Sequence, residues 1–132
     1  MSTLSPPSSP SSPSPPRFAH EKLDAYHVAR EALAQGEAIA QALPKGHANL
    51  ADQLRRSLLS AFLGVAEAAS RSGADRLARF RCARGEASEA AAALDAVVLL
   101  GLAPEAKVQP VVILLGRLHA MLTRLARAGA GR

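Results

Sequence analysis

Apolar side chains recur at three- and four-residue steps in four blocks of the chain, the spacing that gathers them on one face of an α-helix. Leu23, Tyr26, Ala29, Leu33, Ala40 and Leu43 mark the first block and predict a helix over about Ala19–Leu43, stopped by Pro44 and Gly46. Leu50, Leu54, Leu58, Phe62 and Val65 mark the second, over about Asn49–Ser70, with Asn49 as its N-cap. That block is wider than one stripe. Leu59 and Leu63 stand beside Leu58 and Phe62 and point another way, so one face fills a core and another is left over. In the third block, over about Ala74–Gly101, Leu77, Phe80, Arg84, Ala87, Ala91, Leu94 and Val98 alternate three- and four-residue steps, which sets Arg84 on an apolar seam. Val108, Val111, Leu115, Leu118, Leu122 and Leu125 form a heptad seam in the fourth, over about Glu105–Ala128. Pro110 lies near its start, so either regular helix begins there or the first turn is kinked.

Four amphipathic helices joined by loops of a few residues imply an all-α, up-down-up-down antiparallel four-helix bundle, because short loops force neighbours to run antiparallel. No solenoid-type repeat is present.

Composition adjusts this picture at the front of the chain. Of the first sixteen residues, seven are Ser and six are Pro, and Leu4 is their one sizeable aliphatic side chain besides the initial Met. Such a segment buries too little to offset its ordering entropy, so residues 1–17 are expected to be a disordered Ser/Pro-rich tail and residues 18–132 the bundle. Aromatics amount to 3% with no Trp, and alanine and leucine dominate, which favours closely packed helices over sheet. A single cysteine, Cys82, excludes an internal disulfide and fits a reducing, cytoplasmic setting. Apolar runs such as Val111 to Leu115 fall far short of the roughly 20 residues that span a bilayer, so no membrane association is expected.

The net charge of +5 is unevenly spread. Residues 102–132 hold five basic groups and one acid, a balance of +4, whereas each earlier stretch of similar length lies within one charge of neutrality. Arg117, Arg124 and Arg127 share a face of the fourth helix, an alignment suited to a phosphate backbone. Arg76 and Arg79 share a face of the third. Aromatic partners for base stacking are scarce, since Phe18, Tyr26, Phe62 and Phe80 are needed by the core, which disfavours sequence-specific single-strand recognition. Solvated helix faces are the plainer reading of the same arginines.

Arg84 cannot be neutralised, so on a buried seam it requires a partner, and Glu67 on the second helix is the expected one. Gly85 beside it would let another helix approach closely. Asp52 and Arg56 are four residues apart and can pair on the surface. His20, Asp24 and His27 lie on one side of the first helix but lack a fixed fourth ligand, so no metal and no cofactor are expected. Cys82 has no evident base to activate it, and Ser57 and Ser60 sit in mid-helix without one, so no catalytic residue is assigned.

The block Asp52-Gln53-Leu54-Arg55-Arg56, followed by Val65-Ala66-Glu67, resembles the signature of the small four-helix-bundle family encoded in intervening sequences of 23S ribosomal RNA. Phe18 with Glu21-Lys22-Leu23-Asp24-Ala25-Tyr26, Leu43-Pro44, and Phe80 with Ala83-Arg84-Gly85 and Ser88-Glu89 resemble its other motifs. The chain departs from the pattern at Gly64, where the family usually has Asn, and at Ala68, where it usually has Gly. Accessory variability determinant proteins of diversity-generating retroelements belong to the same family. The lack of a catalytic constellation implies a non-enzyme, and spacing suggests structural or subunit contacts for the spare face of Leu59 and Leu63 and for the pair Glu67–Arg84. The resemblance implies a homo-oligomer, most simply a pentamer, and subunit or nucleic-acid contacts for Asp52, Arg55 and Arg56. By the same resemblance it implies an accessory role beside RNA or DNA and a reverse transcriptase. A scaffold that binds only protein is the alternative, and a salt titration of nucleic-acid binding separates the two.

Overall fold

The computed structural model describes residues 17–128. Four helices, α1 (Asp24–Ala42), α2 (Ala48–Ala69), α3 (Gly73–Leu99) and α4 (Glu105–Ala128), follow a short 3₁₀ turn at Ala19–Lys22. α1 packs on α2 and α4, and α3 packs on α2 and α4, while the two diagonal pairs do not meet. The four helices therefore enclose one core as a square bundle, the all-α architecture that the periodicity implies. The expected tail lies outside the described residues, apart from Arg17.

The first predicted helix is in fact two pieces. Leu23 takes an extended conformation (φ −94°, ψ 126°) between the 3₁₀ turn and α1. The Glu21 carboxylate accepts hydrogen bonds from the backbone amides of Arg17 and Phe18, and these hold its pKa below the usual carboxylate range. Phe18 is 58% exposed and stacks on His20 rather than entering the core. At the start of α2 the N-cap is His47, without a side-chain cap, and Asn49 lies within the helix.

The α3–α4 turn is a Schellman motif. Leu102 N–H donates to the Val97 carbonyl (2.9 Å) and Gly101 N–H to that of Val98 (3.0 Å), with Gly101 at φ +70°, where a Cβ would be strained. α4 starts at Glu105, as the spacing predicts, and runs on through Pro110, so the helix does not begin at the proline.

The core is built from leucine, valine and many alanines. Leu54, Val65, Phe80, Leu94, Val97, Leu118 and Leu122 have no exposed surface, and the α4 seam is buried as its heptads predict, with Leu125 partly buried at the end. On α3 the observed seam is Phe80, Ala83, Ala87, Ala90, Leu94 and Val97. Arg84, Ala91 and Val98 sit beside it, half-buried. Rotating the alanines inward leaves the guanidinium at the boundary, which avoids burying an uncancelled charge. Close approaches come from two other glycines, not from Gly85, beside which a Cβ would meet nothing. A Cβ on Gly36 would collide with Leu58, and one on Gly64 would lie 3.2 Å from the Cβ of Ala83.

Candidate nucleic-acid interface and subunit face

The Asp52–Arg56 block is a strap from α2 to both of its neighbours. Leu54 is fully buried, while Arg55 Nε donates to both carboxylate oxygens of Glu37 on α1 (2.9 and 3.1 Å). This charged hydrogen bond lowers the Glu37 pKa and raises that of Arg55, the nearby Asp52 carboxylate adding to the latter. Gln53 donates to Glu89 on α3 through its side-chain amide. Arg56 donates to the side-chain amide oxygen of Gln53 (3.3 Å) rather than pairing with Asp52. Within the same helix turn Ser57, fully buried, donates its hydroxyl to the backbone carbonyls of Gln53 and Leu54. The most specific motif of the sequence thus ties helices together.

Glu67 does not pair with Arg84. Its carboxylate takes Arg71 (3.5 Å) and Arg79 (2.9 Å), and Asp75 takes the same two arginines (3.3 and 3.1 Å), so four charges form one network at the α2–α3 turn. Arg84 reaches the other way, to the Thr123 hydroxyl on α4 (3.4 Å). With Arg84 turned toward α4, Glu67 is left to the arginines of the turn. Arg76 lies over the Phe80 ring, 5.1 Å from its centre, and donates to the Ala69 carbonyl (3.3 Å). Of the five arginines that sequence spacing marks for phosphate, Arg76 and Arg79 therefore already hold partners within the bundle.

The other three do not. Arg117, Arg124 and Arg127 are exposed on α4, and none has an acidic partner among the described residues. The sequence gives the reason: Glu105 is the one acid on α4, at its far end, so no carboxylate lies one turn from any of these arginines. Arg124 lines a furrow of about 340 Å³ between α1 and α4, with Lys22 and Asp24 opposite. A second furrow of about 310 Å³ lies at the other end of the same seam, lined by Ala38, Ile39, Ala42, Lys107 and Pro110.

Leu59 (46% exposed) and Leu63 (53% exposed) form the leftover face of α2 that the double stripe predicts, while Leu58 is buried. Next to Leu63, a depression of about 310 Å³ opens between α2 and α3 over Gly64, lined also by Ser60, Glu67, Cys82, Ala83 and Glu86. This feature carries no signal in the sequence, because it depends on which α3 residues face Gly64. Burial and the neighbouring Glu89 carboxylate push the Glu86 pKa up.

His20 and His27 are engaged as local packing groups. The His20 ring packs against Tyr26 (4.5 Å between centres), and His27 Nε2 donates to the Glu21 carbonyl (3.0 Å). Among the described residues there is no group of three or more potential metal ligands, and no helix is long and apolar enough to cross a membrane.

A protein-family model described as 23S rRNA-intervening sequence protein matches residues 21–124, most of the chain. No curated protein matches it. The match covers all four helices, from the 3₁₀ turn to the last turns of α4.

Proposed function

We infer, from a chain that belongs to the 23S rRNA-intervening sequence protein family, that this bundle is a non-enzymatic, homo-oligomeric accessory subunit that holds nucleic acid by its phosphates. The supporting observation is the contrast among its arginines. Those of the α2–α3 turn are consumed in internal pairs, whereas Arg124 and Arg127 at the C-terminal end of α4 are exposed and unpaired among the described residues, with Lys22 across the furrow from Arg124. Cations on rigid helical positions contact a sugar–phosphate backbone through charge alone and release its counterions, a mode that needs neither base stacking nor a pocket. Self-association follows from Leu59 and Leu63, an apolar pair on the middle of a helix, with a pentamer as the family expectation. The companion protein would be a nucleic-acid-processing enzyme such as a reverse transcriptase.

Binding of generic duplex DNA and RNA, followed as a function of salt, tests the nucleic-acid half. The wild-type chain should bind at low salt, and Arg124→Ala with Arg127→Ala should reduce the slope of log affinity against log salt by about 2. Absence of affinity at low salt removes this reading and leaves a protein-only scaffold.

A further inference from the structure

We propose that one copy of the chain seats Arg117 in the α2–α3 depression of a second copy, a contact that rests on the self-association proposed above and gives it a direction. The depression suits a guanidinium on an apolar stem. Leu63 forms its aliphatic wall, Gly64 leaves its floor without a side chain, and Glu67 and Glu86 supply carboxylates. Glu67 is already held by Arg71 and Arg79, but Glu86 has no cation within ion-pair distance among the described residues. Its charge is opposed by burial and by Glu89, so an incoming cation relieves a cost that the isolated bundle bears.

Arg117 is the cation placed to do this. It lies seven residues from both Pro110 and Arg124, which line the two α1–α4 furrows, so it projects on that same side of α4. The α1–α4 and α2–α3 seams are opposite sides of the square bundle, and no copy can fill its own depression. Arg117, Glu86 and Leu59 each stand near the middle of their helices, so two bundles side by side bring them to one level. Glu31, the acid at that level on α1, accepts the Gln35 amide (2.8 Å) and makes no ion pair with Arg117. Giving and receiving surfaces differ, so the contact is heterologous: it closes a ring when the rotation per copy divides the circle, and otherwise builds a filament.

Light scattering on the full chain and its charge-reversed variants tests the contact. Glu86→Arg and Arg117→Glu, both with helicity checked by circular dichroism, should each weaken self-association by about tenfold or more, and the double reversal should restore it. Cys82, which lines the depression, adds a second readout. Under mild oxidation the wild-type chain should stay uncross-linked, while Ala120→Cys, one turn from Arg117, should give a ladder beyond the dimer. Wild-type Cys82–Cys82 dimers would show face-to-face packing and overturn the proposal, as would an oligomer that the single reversals leave intact. A wild-type chain that is monomeric throughout fails earlier, at self-association itself.

Discussion

Arginines on the α2–α3 corner and arginines on α4 have the same chemistry and opposite fates. At the corner, Arg71 and Arg79 each follow an acid by four residues, and each binds both Glu67 and Asp75. On α4 no acid precedes Arg117, Arg124 or Arg127 by one turn, and all three stay exposed. At these two places the arginines with an acid one turn before them are consumed and those without one stay open to a partner, although an acid at that spacing is not sufficient, since Arg56 does not pair with Asp52. Arginine count alone would have ranked the two regions the other way, since residues 71–84 hold five arginines.

The largest expected effect breaks the corner from below. Phe80 is fully buried and carries Arg76 over its ring, so Phe80→Ala should cost about 3–5 kcal/mol in denaturant unfolding. Converting one region into the other is a gentler change. Ala120→Glu places an acid four residues before Arg124; it should add about 0.3–0.5 kcal/mol of helix stability while lowering nucleic-acid affinity at low salt. If affinity is unchanged, Arg124 is not a phosphate contact.

The smallest effects are pH-dependent and opposite in sign. The Glu37 pKa is lowered by Arg55, so that pair contributes stability above the ordinary carboxylate pKa and loses it as pH falls through the lowered one. The Glu86 pKa is raised, so its contribution is present below the ordinary pKa and lost as pH rises through the raised one. Melting temperatures of Glu37→Gln and Glu86→Gln against wild type should accordingly show a decrease at neutral pH for the first and a slight increase for the second. Both differences should shrink in acid.

How much of this was legible in the sequence differs by helix. Valine and leucine occupy every seam position of α4, so the heptads there read correctly from spacing alone. α3 offers alanine on several faces, and alanine is as tolerable at a seam as beside it; the pattern could not distinguish Ala83 from Arg84 as the inward residue. That single ambiguity produced the expected Arg84–Glu67 pair and the expected role for Gly85. The exposed Leu59 and Leu63 were visible because two adjacent leucines cannot share a face. Gln53 to Glu89 and Arg55 to Glu37 were not, since both ties depend on helix register across seams, which one-dimensional spacing does not carry.

The α1–α4 seam is the one seam that joins helices distant in the chain; the other three link sequence neighbours through loops of a few residues. Three successive hairpin contacts can thus form with little loop-closure entropy, and shutting the last side of the square bears most of that cost. It follows that either terminal helix, α1 or α4, can leave with the other three still joined as sequence neighbours, and that the side carrying Arg117 and Arg124 is where the bundle is expected to open first.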